Sequence, residues 1–515
     1  MMSSGAALVL ALALAPASAI NNGKGITPPM GWRSWNLFGG EVNQTLMTNI
    51  MAGMVDRSRT VDGVPTSLCD LGYCDVGLDD AWQECGAYGA DEFTYHAEDG
   101  TPQVNFERFP DLMAMTDYAH SLGLTAGWYG NNCICKDHCG SNRYHSEEEE
   151  WLKCYEKDVT TLFESGFDGI KLDGCGKQKD LDLWADLINA TGKAITIENC
   201  HWGQTVPHVA YKDQVPDNGD IWCPWNFYRS STDVRARFAN IVFNLETTVP
   251  FARHGLSFPG CWAYPDMLEV GCAHGPGGDH DPGLTAEETR AHFGAWCIVS
   301  SPLTLSHDVT NGTISDAIWP VIANPEAIAV NQAWAGHSGS PFLRSGQTVS
   351  LGGLAPKDKA IPASPENEGA HVTAAWQHFY KPLELDGDGA AAKVDSKARV
   401  NVVCLCMLPG RYDASHWSIS TLCLCSSLPP SQLMPPPAPP SLSRAQVAVL
   451  MMNQGTEAME LSFDFAQVPG LKPCGVSGCA YAVRDVWARE DLGAYQGSYQ
   501  ATVASHDAAF VVVSL

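Results

Sequence analysis

Short apolar runs alternate with longer stretches of helical periodicity from Ile26 to about Asn331. The pattern predicts strands over 72–78, 124–129, 169–173 and 194–198, and helices over 112–121, 151–164, 181–189, 234–244 and 287–298. Repeated alternation of strand and helix is typical of a parallel sheet, and about 300 residues suit a (β/α)₈ TIM barrel. The sequence therefore predicts an α/β fold with a barrel over 20–335.

The pattern changes after Gly336, where helical periodicity fades. Short apolar runs at 447–452, 460–465 and 509–515 predict strands of a C-terminal antiparallel β-sandwich domain over 336–515. A Pro-rich, low-complexity insertion at about 403–443 interrupts this domain, and proline cannot donate to a strand ladder. Two explanations remain open, an inserted surface loop and translated non-coding sequence, and no function is assigned to the segment.

The first 19 residues are predicted to be a signal peptide. An apolar stretch at 6–16 precedes Ala17-Ser18-Ala19, a small-residue cleavage pattern. Nineteen cysteines and sequons at Asn43, Asn189 and Asn311 favour the same route, because disulfides persist in oxidising compartments. The protein is expected to be secreted, or lysosomal or vacuolar.

Charge narrows the range of partners. The chain has 31 Lys and Arg against 58 Asp and Glu, a formal charge of −27. Such a surface repels nucleic acid and anionic membrane, so neither is an expected partner. Apolar residues make up 45%, which is enough for a large buried core.

Candidate chemistry lies where the predicted strands end. Lys171 and Asp173 are two residues apart on one strand, so both side chains face the same way, and the lysine favours an ionised carboxylate. Asp79-Asp80 follows another strand and suits hydrogen bonding to vicinal sugar hydroxyls. A second carboxylate, Asp233, follows Arg229 by four residues and could protonate a leaving glycosidic oxygen.

Tryptophans add flat apolar walls of the kind on which sugar rings stack. Four lie near these motifs: Trp32, Trp35, Trp128 and Trp202. Core packing is the alternative role for each of them.

Together these segments resemble glycoside hydrolase family 27, the α-galactosidases and α-N-acetylgalactosaminidases. The resemblance covers nearly the whole mature chain in matching order and spacing. It rests on the segments 27–36, 78–82, 118–124, 171–175, 264–268 and 328–332. It implies a (β/α)₈ barrel with a β-sandwich and a retaining double displacement, with Asp173 as nucleophile and Asp233 as acid/base.

The resemblance also implies sugar contacts. Asp79 and Asp80 would bind the 6- and 4-hydroxyls, Lys171 the 3- and 4-side, Arg229 the 2- and 3-side, and Asp266 the region near O2. Trp35, Tyr129 and Met267 would line the pocket. Cys200 would pair with Cys223 beneath the site, and Cys175 with a cysteine of the 133–139 loop. Members are often dimers, so a homodimer fits the resemblance.

Some positions depart from the family pattern. Family α-galactosidases usually carry Cys-Glu-Trp where this chain has Cys200-His201-Trp202, and that acidic residue contacts the 2-position of the sugar. His201 and Gln204 therefore leave recognition at C2 open. Neither is small, as N-acetylgalactosaminidases require. Ala81 replaces a common cysteine, and Tyr264 a common aspartate.

The leading prediction is an α-galactosidase that acts on terminal α-galactosyl residues of oligosaccharides, glycolipids or polysaccharides. The alternatives are an α-N-acetylgalactosaminidase, a β-L-arabinopyranosidase and a non-catalytic sugar-binding barrel. No cofactor or metal is implied. From spacing alone, Cys261 with Cys272 and Cys474 with Cys479 are candidate local disulfides, and Cys297 in an apolar run is a predicted free thiol.

Overall fold

The computed structural model describes residues 22–87, 94–131, 134–135, 137, 139, 148–207, 221–275, 281–352, 370–383, 446–473 and 479–515. The predicted signal peptide and the Pro-rich insertion lie outside these residues.

Eight parallel strands form the first part of the chain, in the order β8-β1-β2-β3-β4-β5-β6-β7. They are β1 (Met30–Arg33), β2 (Asp75–Gly77), β3 (Thr125–Gly130), β4 (Gly169–Asp173), β5 (Thr196–Cys200), β6 (Phe227–Arg229), β7 (Trp262–Tyr264) and β8 (Leu303–Leu305). After β7, the Leu268 N–H donates to the Thr304 carbonyl of β8 at 2.8 Å, which joins the two edges of the curled sheet. This is the predicted barrel.

Helices surround the barrel. They are α1 (Trp35–Phe38), α2 (Gln44–Met54), α3 (Leu112–Ser121), α4 (Glu148–Glu164), α5 (Leu181–Ala190), α6 (Phe238–Thr247), α7 (Val249–Arg253), α8 (Ala286–Ile298), α9 (Gly312–Ile322) and α10 (Pro325–Gln332). Side-chain caps fix several starts: Asp111 caps α3, Asp180 caps α5, and Thr285 with Glu288 forms a capping box on α8.

The predicted helix over 234–244 is wrong at its start, because α6 begins at Phe238. The backbone N–H of Val234 donates to Asp266 Oδ2 at 2.9 Å, and this contact holds the preceding segment as a loop. The remaining barrel predictions agree with the structure to within a few residues at each boundary, as is usual for element ends.

The C-terminal part is antiparallel. Its strands are β9 (Ser340–Arg344), β10 (Thr348–Gly352), β11 (Ala370–Ala374), β12 (Trp376–Pro382), β13 (Gln446–Asn453), β14 (Met459–Asp464), β15 (Tyr481–Asp485), β16 (Glu490–Tyr495), β17 (Ser498–Val503) and β18 (Ala508–Ser514). Six form one sheet in the order β9-β12-β13-β18-β15-β16, and β10 with β11 and β14 with β17 form separate pairs.

Strand β13 explains how the two parts join. Its alternate residues Val447, Val449 and Met451 enter the core of the β-domain, whereas Ala448, Leu450 and Met452 join the core of the barrel. Because both faces of β13 are buried, its sequence is continuously apolar rather than alternating.

Helix α8 supplies the surface on which β13 packs. A Cβ on Gly294 would lie 2.9 Å from Leu450 and 3.0 Å from Trp487, so the sheet approaches this helix closely only because position 294 has no side chain. The predicted free thiol at Cys297, on the same helix, is confirmed.

Disulfide pairing differs from the predictions. Cys223 pairs with Cys261, so the predicted Cys200–Cys223 and Cys261–Cys272 bonds are both wrong. Cys200 and Cys272 are buried free thiols. Neither the spacing behind Cys261–Cys272 nor the resemblance behind Cys200–Cys223 determines connectivity, because the fold decides which sulfurs meet.

Three other disulfide bonds are formed among the described residues, Cys69–Cys74, Cys85–Cys135 and Cys139–Cys154. Cys175 takes part in a disulfide bond as well, and so does Cys479. Cys474, predicted to pair with Cys479, lies outside the described residues, as does Cys133 in the loop predicted to hold the partner of Cys175.

Candidate active site

An open pocket, about 380 Å³ with the solvent space at its mouth included, lies at the carboxyl ends of the barrel strands. It is lined by Trp35, Asn36, Asp79, Asp80, Tyr129, Lys171, Asp173, Trp202, Arg229, Asp233, Asp266 and Met267. The strands bring these residues together because the carboxyl ends of all eight meet at one face of the barrel. Every predicted catalytic and substrate-binding residue except His201 lines this pocket.

Asp173, the predicted nucleophile, ends β4. Its carboxylate is buried, and Oδ2 lies 3.6 Å from the Cys200 thiol. Oδ1 has no hydrogen-bond partner among the described residues. Asn131 Nδ2 donates to the backbone carbonyl of Asp173 at 2.6 Å, which fixes the strand end. One oxygen of this carboxylate is therefore not committed to a protein donor.

Burial raises the pKa of Asp173 to about 7. The Lys171 ammonium opposes this rise, whereas the nearby Asp233 and Asp79 carboxylates add to it. Around neutral pH the Asp173 carboxyl group therefore gains or loses a proton.

Arg229 links the second predicted catalytic carboxylate to the pocket wall. Its Nη2 donates to Asp233 Oδ1 at 2.8 Å and lies 3.0 Å from Asp266 Oδ2. Although burial by itself raises the pKa of Asp233, the Arg229 guanidinium outweighs this effect and lowers that pKa below its usual value. Burial raises the pKa of Asp266 despite the same guanidinium.

Asp266 is held by its own turn. Its Oδ1 accepts from Met267 N–H at 2.8 Å, and its φ is +85°, in the left-handed region that non-glycine residues rarely adopt. Trp202 (φ +50°) and Ala81 (φ +79°) share this conformation at the ends of other barrel strands. Such backbone strain clusters at functional sites, where the surrounding fold imposes it.

The paired aspartates form the opposite wall. Lys171 Nζ donates to Asp79 Oδ2 at 2.8 Å, and the Asp80 backbone N–H donates to Asp79 Oδ1 at 2.9 Å. Asp80 Oδ1 accepts from Ala81 N–H at 2.7 Å. These bonds fix both carboxylates at the pocket wall.

Aromatic residues also line the pocket. Trp35 packs against a small buried cluster of Phe227, Trp262, Tyr264 and Met267. Trp202 covers Gly174, next to the predicted nucleophile, where a Cβ would lie 3.1 Å from the indole ring. The pocket therefore combines apolar ring surfaces with five carboxylates and two cations.

Two of the four tryptophans proposed as sugar-stacking walls are core residues instead. Trp32 is fully buried and donates to the His307 carbonyl, and Trp128 packs between Trp82 and Phe167. Side chains alternate along a strand. Because Arg33 and Tyr129 face the barrel interior, the preceding residues Trp32 and Trp128 point outward, away from the pocket.

His201 does not line the pocket. Its Nδ1 lies 3.0 Å from the Thr205 hydroxyl, and Nε2 has no partner among the described residues. Burial lowers the pKa of His201 to about 4, so the ring is neutral at physiological pH. Trp202 faces the pocket in its place.

Sequence reasoning missed Asn36, which lines the pocket beside Trp35. Its Nδ2 donates to the buried Glu269 at 2.8 Å, and its position next to a predicted site tryptophan was the available signal. Among the described residues, no cluster of His, Cys, Asp and Glu could hold a metal ion, and no helix is long and apolar enough to cross a membrane.

Comparisons with known proteins agree with this architecture. The family model described as alpha galactosidase A matches residues 27–333, and the one described as alpha galactosidase C-terminal beta sandwich domain matches residues 441–513. Alpha-galactosidase 3 of Arabidopsis thaliana is 31% identical over 393 residues, which are 74% of this chain and 76% of that protein.

Two further relatives extend the comparison. An alpha-N-acetylgalactosaminidase of Gallus gallus is 29% identical over 351 residues, 64% of this chain and 76% of that protein. The crystal structure of alpha-galactosidase I from Mortierella vinacea superposes with a TM-score of 0.61 at 20% identity, covering 96% of this chain and 98% of that chain.

The matches to both family models identify this barrel, with its carboxylate-rich pocket and the β-sandwich that follows, as that of a glycoside hydrolase. The chain belongs to glycoside hydrolase family 27, the melibiase or α-galactosidase family, and is an α-galactosidase-like hydrolase.

Proposed function

We propose that this protein is a retaining exo-glycosidase that removes terminal, non-reducing α-D-galactosyl residues. The observation that carries the proposal is the convergence of Asp173 and Asp233 in one pocket, each beside a buried cation, with the Asp79-Asp80 pair on the facing wall. Retaining glycosidases need two carboxyl groups about 5–5.5 Å apart.

In the proposed first step, an Asp173 oxygen attacks the anomeric carbon while the bond from that carbon to the glycosidic oxygen breaks. The electron pair of the broken bond goes to the departing oxygen, which takes a proton from Asp233. In the second step Asp233 removes a proton from water, and the resulting hydroxide displaces Asp173 from the anomeric carbon. Two inversions give net retention.

The charge of Asp233 adds to the rise in the pKa of Asp173, and Arg229 lowers the pKa of Asp233. The raised pKa of Asp173 keeps one proton in the pocket up to about pH 7. In the free site Asp173 holds the proton, whereas the reaction needs it on Asp233. Substrate binding must therefore be accompanied by transfer of this proton to Asp233.

The fixed Asp79 and Asp80 carboxylates support galactose as the sugar. They would accept hydrogen bonds from the 6- and 4-hydroxyls, with Lys171 on the 3- and 4-side, Arg229 on the 2- and 3-side and Asp266 near O2. Trp35, Tyr129 and Met267 would contact the ring. An arabinopyranoside lacks the CH₂OH that Asp79 would bind, so this carboxylate favours galactose over the arabinose alternative.

Trp202 bears on the second alternative, an α-N-acetylgalactosaminidase. Because the indole ring covers Gly174 beside the nucleophile, it fills space next to the pocket that a bulky 2-substituent would need. This supports a free 2-hydroxyl over a 2-acetamido group. His201 would influence C2 recognition only through the position of Trp202.

The natural substrates we propose are α-galactosides of oligosaccharides, glycolipids or polysaccharides, met in a secreted, lysosomal or vacuolar setting. The disulfide bonds among the described residues support an oxidising route. We propose no cofactor, because the chemistry needs two carboxyl groups and water. Light scattering would test for the homodimer that the family resemblance allows.

The test is hydrolysis of p-nitrophenyl α-D-galactopyranoside, α-D-N-acetylgalactosaminide and β-L-arabinopyranoside by the chain from Ile20 to Leu515. Asp173→Ala and Asp233→Ala are compared with wild type, and NMR of the first-formed sugar reports its anomer. The expected result is preferential release from the galactoside as the α-anomer, abolished in Asp173→Ala.

Other outcomes would reject parts of the proposal. Release of the β-anomer would overturn retention and the nucleophile assignment. Preference for another glycoside would overturn the sugar assignment and leave the pair of carboxylates intact. Folded protein that cleaves none of the three would overturn the catalytic proposal and favour a sugar-binding role.

A further inference from the structure

Arg33 lies inside the barrel, beneath the proposed sugar pocket. It ends β1, is 5% exposed, and has Gly77 of β2 and Gly127 of β3 beside it. A Cβ on Gly77 would lie 2.8 Å from the guanidinium carbon, and a Cβ on Gly127 would lie 3.6 Å from Nη2. The neighbouring strand β2 thus leaves room for this side chain by carrying glycine at position 77, whereas the contact at Gly127 is of ordinary van der Waals length.

The guanidinium contacts two carboxylates. Nη2 lies 3.2 Å from Glu198 Oε2 on β5, and Nη1 lies 3.9 Å from Asp79 Oδ2. Nη1 makes no hydrogen bond to any described residue. Arg33 therefore bridges a carboxylate on the far side of the barrel and the aspartate proposed to bind sugar.

Asp79 Oδ2 consequently faces two buried cations, Lys171 at 2.8 Å and Arg33 at 3.9 Å. The other oxygen accepts from the Asp80 backbone. The charge of Lys171 also lowers the pKa of Asp173. Arg33 contacts Asp79 but does not line the pocket, so it can act on Asp79 without taking part at the nucleophile.

We propose that Arg33, held in place by Glu198, is a positioning residue whose charge reinforces the orientation in which Lys171 and the Asp80 backbone hold Asp79, and thereby the recognition of the sugar at C6 and C4. The inference rests on the proposed function. It adds a buried ion pair that touches neither the sugar nor the reacting atoms.

A purely structural role explains the Arg33–Glu198 ion pair less well. Desolvating a guanidinium and a carboxylate is unfavourable, and apolar residues of similar volume often stabilise a core as well or better. A pair retained in the barrel interior, and placed against a carboxylate of the pocket, is better explained by its effect on that carboxylate.

The experiment compares p-nitrophenyl α-D-galactopyranoside with its 6-deoxy analogue, p-nitrophenyl α-D-fucopyranoside, in wild type, Arg33→Met, Arg33→Lys, Asp79→Asn and the Arg33→Met/Asp79→Asn double variant. The readout is the ratio of kcat/KM for the two substrates, because a change in the amount of folded enzyme cancels in this ratio. Arg484→Met, which removes a remote ion pair with Glu326, is the matched control.

We expect Arg33→Met to lower the galactoside-to-fucoside ratio by about fivefold or more, Arg33→Lys to lower it by less, and the control to leave it unchanged. In the Asp79→Asn background, Arg33→Met should cause no further fall in the ratio, because residues that act through one another are not additive. If Arg33→Met does not fold, the galactoside-to-fucoside ratio of Arg33→Lys is used instead. A lowered ratio then supports the inference, and an unchanged ratio overturns it.

The outcomes separate a failure of the inference about Arg33 from a failure of the proposed function. An unchanged ratio in folded Arg33→Met, with a lowered ratio in Asp79→Asn, overturns the inference about Arg33 and leaves the proposed function standing. An unchanged ratio in Asp79→Asn overturns the assignment of Asp79 to the C6 side, and the inference with it. Equal losses on both substrates in Arg33→Met indicate a structural role only.

Discussion

The thiol of Cys200 lies 3.6 Å from Oδ2 of Asp173, and Cys200 forms no disulfide bond. Arg229 Nη1 donates to the same sulfur at 3.4 Å. The thiol thus lies between the proposed nucleophile and the guanidinium that holds the proposed acid/base, in a position where the family resemblance implied a disulfide. The consequences can be measured for the covalent structure and for the chemistry.

Peptide mapping should recover Cys223 linked to Cys261, and Cys200 labelled by an alkylating reagent after unfolding without reduction. Cys200→Ser should keep most activity, since a hydroxyl can also donate to Asp173. Cys200→Ala should lower kcat by about two- to tenfold, because a hydrogen bond of ordinary strength is lost. A peptide linking Cys200 to Cys223 would contradict this arrangement.

Activity should depend on the single proton shared by Asp173 and Asp233. We expect kcat/KM to fall as pH rises through about 7, where the pair loses the proton that the leaving group needs. Rate profiles between about pH 4 and 9 measure this limb. Full activity persisting well above pH 8 would contradict it.

Asp173→Asn should remove activity and stabilise the fold. The folded pKa of about 7 exceeds the ordinary value of 3.8, so the ionised carboxylate costs stability that grows as pH rises from about 4 to 7. The variant should therefore melt about 1–4 °C above wild type near pH 7.5.

This gain should shrink to a small fraction near pH 4, because Asp173 stays protonated in the folded state and is only about half ionised in the unfolded state. Thermal unfolding at the two pH values provides the comparison. A gain that is equal at both, or a loss at pH 7.5, would show that the buried charge is not the cause.

Trp202 should control the size of the pocket near C2. Trp202→Ala removes the ring that covers Gly174, so activity on the galactoside should fall by about tenfold or more through lost contact. The ratio of activity on the N-acetylgalactosaminide to that on the galactoside should rise. His201→Ala serves as the neighbouring control, and a larger change in that ratio for His201→Ala would assign C2 recognition to the histidine instead.

Glu246 should tie the β-domain to the barrel. From α6 its carboxylate accepts bonds from His371 (2.9 Å), Thr373 (2.7 Å) and Gln377 (2.7 Å), all in the C-terminal part. Glu246→Ala should lower the free energy of unfolding by about 2–4 kcal/mol, because several buried donors lose their acceptor. Glu287→Ala, which removes a partly exposed and long (3.5 Å) pair with Arg290, should change it by less than about 1 kcal/mol.

The sequence by itself determined the barrel and most of its pocket. The strand at Gly169–Asp173 and the helix at Leu112–Ser121 follow directly from hydrophobic periodicity. Because the carboxyl ends of parallel strands share one face, polar residues at those ends could be grouped before any distance was known. The period of two along β4 placed Lys171 and Asp173 on the same side.

Only the tertiary structure decided the contacts between elements far apart in the chain. Cys223 meets Cys261 rather than Cys200, Trp202 rather than His201 faces the pocket, and Arg33 reaches Glu198 across the barrel interior. Local pattern specifies which side of a strand a residue occupies. Its partner depends on how neighbouring strands are staggered and where glycines leave room, and those are properties of the assembled barrel.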